Sequence, residues 1–90
     1  MFLRRLRVEY AREGEAPAPC PLAWIDNFAM RNFTNEAIFD DTLPIADGVM
    51  EIGLRVPLDV LQQAMKEWFR KKTYLRKEDR LMIREERSTK

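Results

Sequence analysis

The sequence predicts an α+β domain with a short β-sheet covered by helices. Three observations carry this. Apolar and polar residues alternate over 49–56, an apolar stripe at three-to-four spacing runs over 57–72, and ninety residues suit one core and no more. The chain is read as a single domain, 1–90, with 13–20 a proline-rich surface loop and 73–90 a charged C-terminal extension.

Taken in order, residues 2–11 read as a strand. Phe2, Leu6, Val8 and Tyr10 share one parity, and Arg5, Arg7 and Glu9 take the other. A helix through Phe2, Leu6 and Tyr10 also fits that spacing. The next segment, EGEAPAPCP, holds three alternating prolines, which cannot donate to a ladder and break any helix. Residues 21–33 lean helical, with Pro21 at the first helical position. Leu22, Ile25, Phe28, Ala29 and Phe33 set the period, although Leu22, Trp24, Phe28 and Met30 leave a strand alternative. Thr34 is placed to cap a short turn over 35–40. Residues 40–48, DDTLPIADG, read as an acidic, turn-rich connection.

The best strand is 49–56. Met50, Ile52, Leu54 and Val56 alternate with Val49, Glu51, Gly53 and Arg55, after an Asp47-Gly48 turn signal. Gly53 marks a bulge or a close approach by another backbone. The best helix is 57–72. Pro57 suits its first position, and Asp59 meets the positive end of the dipole. Leu58, Leu61, Met65 and Trp68 form its apolar stripe, widened by Ala64 and Phe69, and Glu67 with Lys71 is an i, i+4 pair in the favourable order. No Gly or Pro follows as far as Lys90. The triplet Leu81-Met82-Ile83 fits helix or strand, and the surrounding Arg, Glu and Lys content favours helix. The expected core is Leu6, Val8, Tyr10, Ile25, Phe28, Met50, Ile52, Leu54, Leu58, Leu61, Met65 and Trp68.

Composition narrows the function classes. The chain is 46% hydrophobic and 34% charged, with nine large aromatic residues, which suits a folded protein with a heavily charged surface. Its single cysteine, Cys20, allows no internal disulfide, so a reducing, cytoplasmic setting is expected. Basic residues interrupt the apolar ones at the N-terminus, and the longest apolar runs are far too short to span a bilayer. Neither export nor a membrane partner is expected.

The chemical inventory is nearly empty. There is no His, the one Ser is Ser88, and Gly14, Gly48 and Gly53 are scattered. This removes the usual acid–base group, the usual nucleophile and any phosphate-cradling glycine loop. No cofactor is expected, and one Cys without His excludes the usual zinc sites. The acids Glu36, Asp40, Asp41, Asp47 and Glu51 are the only cluster worth weighing for Mg²⁺ or Ca²⁺. Their spacing departs from the calcium-loop pattern, and turn chemistry explains them better. No catalytic or metal residue is assigned, and the chain is expected not to be an enzyme.

Charge, in contrast, is segregated. Residues 1–12 carry a net +3, residues 13–59 a net −7 and residues 60–90 a net +5. Either the segments neutralise each other on folding, or the two basic ends build one cationic face. Residues Leu61, Trp68, Leu75 and Met82 are also seven apart. On a continuous helix they would make a thin apolar seam suited to a partner's groove or to a second copy of the chain. If the chain turns near residue 73, the C-terminal segment packs on the sheet instead.

The first expectation is therefore a small interaction protein that binds and modulates, and could inhibit, a larger protein. Leu75, Met82, Lys72, Arg76 and Arg80 are its candidate contacts, with a homodimer through the C-terminal helix as a variant. The alternative is a nucleic-acid binder in which Arg70, Lys71, Lys72, Arg76 and Lys77 neutralise phosphates and Tyr74 stacks on a base. The near-neutral isoelectric point of about 7.9 weighs against that alternative.

Overall fold

The computed structural model describes residues 3–32 and 37–86. The element order is β1 (Arg4–Ala11), β2 (Ala18–Pro19), α1 (Leu22–Asn32), β3 (Phe39–Ala46), β4 (Val49–Leu54), α2 (Leu58–Lys71) and β5 (Arg80–Glu85). The five strands form one antiparallel sheet, and the domain is α+β. Strand β1 lies at its centre. It pairs with β4 and, further along the same side, with the two-residue β2, while β5 takes its other side. Strand β3 forms the far edge beyond β4. Both helices cover one face, α1 against β3 and α2 against β5.

The core lies between the sheet and the helices. Leu6 and Val8 of β1, Met50 and Ile52 of β4, and Leu81 and Ile83 of β5 meet Ile25 and Phe28 of α1 and Leu61, Met65 and Phe69 of α2. On α2 the buried line is Leu61, Met65 and Phe69, an i, i+4, i+8 row, and Trp68 lies half-buried on the flank facing α1. Tyr10, Leu54, Leu58 and Trp68 are thus partly exposed satellites of the core. Cys20, Phe39, Phe69, Leu75, Leu81 and Ile83 are core residues outside the expected core set.

Several expectations need correction. The segment read as a C-terminal helix is strand β5. In isolation Leu81-Met82-Ile83 favours helix only weakly, and the open side of β1 offers a ladder from Leu6 to Ala11. Helix α2 ends at Lys71, so the seven-residue seam does not exist, and among the described residues no C-terminal helix is present to pair two copies. The acidic segment 40–48 is mostly strand β3. Its turn-like composition reflects an edge strand, where Pro44 is tolerated and charge is frequent. Register shifts at Phe39/Asp41 and Pro44/Ala46 absorb the irregularity, the first of them opposite Gly53. The proline-rich loop contains β2. Pro21 and Pro57 each sit one residue before their helices rather than inside them. Glu67 accepts from Gln63 Nε2 at 3.0 Å instead of pairing with Lys71. Phe2, Phe33, Thr34 and Glu36 lie outside the described residues.

A knot of backbone bonds ties the loop to the sheet. Gly48 N–H donates to Cys20 O at 2.7 Å, Cys20 N–H to Val8 O at 3.0 Å, and Val8 N–H to Gly48 O at 2.8 Å. Gly48 has φ +73°, and a Cβ there would lie 2.8 Å from Pro19 Cβ, so both conformation and space require glycine. Its neighbour Asp47 accepts from Leu22 N–H at 2.7 Å. A hairpin carboxylate from β3–β4 therefore caps the first turn of α1.

Candidate functional site: the cationic end of α2

Helix α2 ends in a Schellman motif. Thr73 N–H donates to Arg70 O at 3.0 Å and Tyr74 N–H to Phe69 O at 2.8 Å, with Thr73 at φ 63°. The apolar contact that accompanies this motif is present, since the Phe69 and Tyr74 rings lie 5.9 Å apart. The sequence offers neither Gly nor Pro after Pro57 to stop the helix. A threonine takes the left-handed position instead.

The chain then runs through 73–79 to β5, held by a buried carboxylate. Asp79, 3% exposed, accepts from Arg12 Nη1 at 2.8 Å and from Arg76 N–H at 2.8 Å. Arg12 Nη1 also reaches Tyr74 O at 3.3 Å. The Arg76 N–H, helped by Arg12, holds the Asp79 carboxyl below the usual carboxylate range despite its burial. Leu75 is buried beneath this turn, and Tyr74 stacks on Trp24 with centroids 5.1 Å apart and planes within 6°. Tyr10 and Phe69 complete that aromatic cluster.

On this clamped backbone Lys71, Arg76, Lys77 and Arg80 are exposed, and Arg70 and Lys72 are half-buried. None of the six has a carboxylate within ion-pair distance among the described residues. Arg70 Nη2 donates to Lys77 O at 2.9 Å. The ammonium groups of Lys71 and Lys72 sit 5.6 and 5.5 Å from the Trp68 ring centroid, and Trp68 Nε1 donates to Asn27 Oδ1 at 2.9 Å. The basic residues of the N-terminal strand are different. Arg4, Arg5, Arg7 and Arg12 pair with Glu85, Glu51, Glu86 and Asp79. Segment neutralisation therefore consumes the N-terminal bases and leaves those at the end of α2.

The candidates from sequence divide accordingly. Arg70 and Lys71 close α2, Lys72, Arg76 and Lys77 lie in the turn after it, and Arg80 opens β5 on the parity of Met82. Leu75 is withdrawn into the core, and Met82 lies half-buried on the helix-free sheet face opposite Glu9. Tyr74 has one face committed to Trp24, so its ring is packing rather than a free platform. Among the described residues no three acidic or cysteine side chains are placed to hold a metal ion. Asp47 caps α1, Asp40 pairs with Arg55 and Glu51 with Arg5. Burial, and secondarily Glu9, pushes the Cys20 thiol up to about 12, so it stays protonated at neutral pH. Among the described residues no helix is long and apolar enough to cross a membrane.

The class defined by this geometry is a small antiparallel α+β domain with a run of bases over 70–80 that lacks ion-pair partners among the described residues. Comparison with protein-family models, curated proteins and solved structures finds no match.

Proposed function

We propose that the protein is a non-catalytic binding domain that docks onto an acidic surface of a larger protein through the end of α2, with Lys72, Arg76 and Arg80 at the centre of the contact. The observation carrying this is the run of six bases over 70–80 without carboxylate partners among the described residues; elsewhere six arginines have one, and Arg31 and Lys66 stand singly without. Unpaired charge steers a partner of opposite sign, and the ordered backbone beneath it leaves only side-chain entropy to be lost on docking.

A protein partner is favoured over nucleic acid by the aromatic side chains. Single-strand binding draws on free ring faces for stacking. Here Tyr74 is stacked on Trp24, and Trp68 is covered by two lysines. Glu67 and Glu78 also interrupt the basic surface, which a phosphate track would disfavour.

The test is affinity capture from lysate with the wild-type chain and with a Lys72→Glu/Arg76→Glu/Arg80→Glu variant, each with and without nuclease. A protein retained by wild type after nuclease treatment and lost with the variant is expected. Capture that nuclease abolishes, or that the variant retains, overturns the reading. In a polarisation assay with single-stranded DNA and RNA at physiological salt, no saturable binding is expected.

A further inference from the structure

We infer that the outer edge of β5, with the flank of α2 above it, is a two-fold interface whose occupant is a second copy of this chain. Strand β5 is six residues long and pairs on one side, with β1. The register shows where its outer groups point. Val8 lies opposite Ile83, yet Val8 N–H donates to Gly48 O and Val8 O accepts from Cys20 N–H, both on the far side of β1. Ile83 therefore turns its own N–H and C=O away from β1, and Leu81, two residues earlier, does the same. Neither has a backbone partner on that outer side among the described residues. The opposite edge of the sheet is closed to an added strand, because Pro44 of β3 has no N–H and Asp41 Oδ1 takes the Thr42 N–H at 2.9 Å.

One side chain of α2 reaches the β5 edge. Gln62 Oε1 accepts from Ile83 N–H at 3.1 Å, so Gln62 stands over the edge at the level of Ile83. Asp59 and Lys66 lie three residues before and four after Gln62, on the same flank of the helix. Neither has an ion-pair partner among the described residues. A two-fold axis through Ile83, normal to the sheet, continues the sheet into a second copy by antiparallel pairing. The same axis sets the two α2 helices antiparallel beside it. Asp59 of each copy then faces Lys66 of the other. Along the strands this axis sets Met82 opposite Arg84 and opposes no like charges, whereas an axis through Met82 would set Arg80 against Arg84.

This self-complementarity selects the occupant. A foreign strand laid on β5 would pair the backbone and leave Asp59 and Lys66 as they are. A second copy supplies a lysine to each Asp59 and an aspartate to each Lys66. A net charge of +1 leaves little repulsion between the copies. The Ile83 N–H exchanges its bond to Gln62 for one to Ile83 O of the other copy, an amide for an amide, and the Gln62 carboxamide returns to water.

The test is sedimentation of the full chain across a concentration series. A monomer–dimer equilibrium is expected. Asp59→Lys and Lys66→Asp should each weaken it about tenfold or more, because the two-fold counts each change twice, and the double variant Asp59→Lys/Lys66→Asp should return to within about threefold of wild type. Hydrogen exchange locates the contact, since Leu81 N–H should exchange more slowly as the dimer forms. Retained cooperative unfolding confirms that each variant is folded, and recovery in the double variant separates lost pairing from a folding defect. A chain monomeric at every concentration, a dimer indifferent to either single change, a double variant that stays monomeric, or Leu81 exchange that is equal in monomer and dimer overturns the inference. Arg76→Glu should leave the dimer unchanged. Because Arg76 lies outside this surface, failure here leaves the cationic-end reading untouched.

Discussion

Asp79 joins three parts of the chain that are far apart in sequence: the end of β1 through Arg12, the turn after α2 through Arg76, and the start of β5. Its carboxyl is held below the usual carboxylate range, so its contribution to stability is complete above that range and is lost as pH falls through its lowered folded value. Asp79→Asn should unfold at lower temperature than wild type at neutral pH, and thermal melts should show the difference shrinking as the solution is acidified below the carboxylate range. A difference that persists in acid would place the effect in packing rather than charge. Cys20 makes the opposite case. Its thiol, pushed up to about 12 inside the core, should react with a thiol reagent only after denaturant unfolds the chain. Rapid labelling of the native protein would contradict the burial.

At the scale of elements, the ends and edges are where composition misleads. The Schellman turn of α2 places Thr73, a β-branched residue, at φ 63°, a conformation that costs such residues about 1–2 kcal/mol. Thr73→Gly should therefore stabilise the protein by about 1 kcal/mol in denaturant titration, despite the entropy that glycine adds to the unfolded chain. Both sheet edges are managed by side chains. On β3 the Thr42 N–H is satisfied by Asp41, and on β5 the Ile83 N–H donates to Gln62 Oε1 of α2 at 3.1 Å. With the two-residue β2, these are the strands that the local pattern hides. An edge strand needs only one partner and half a buried face, so it shows little of the alternation that marks a central strand.

Across the whole molecule, charge is sorted by whether it has a partner. On the helix-free face of the sheet, Arg5 meets Glu51 at 3.2 Å, Arg7 meets Glu86 at 2.9 Å and Glu9 meets Arg84 at 3.8 Å, strand against strand. Each exposed pair contributes little, but reversing one sets like charges opposite each other. Arg5→Glu should cost about 1 kcal/mol in denaturant unfolding. Arg76→Glu, at the cationic end, should change stability by no more than about 0.5 kcal/mol while abolishing partner capture. An equal loss of stability from both would mean that the end of α2 is held by its charges rather than presenting them.

Local pattern alone was enough for the class of fold, the central strands β1 and β4, the bodies of α1 and α2 and most of the core. Each of these repeats its apolar residues with the period of its own backbone, and that period needs no knowledge of neighbours. Tertiary contact decided the rest. Leu81-Met82-Ile83 became a strand because β1 had an unpaired side, α2 stopped at Lys71 without glycine because Phe69 and Tyr74 pack across its end, and the bases of one terminus were neutralised while those of α2 were not because only the first lie beside carboxylates in the sheet. Such outcomes depend on which segments meet, and pairing between distant segments leaves no periodic trace in a single chain.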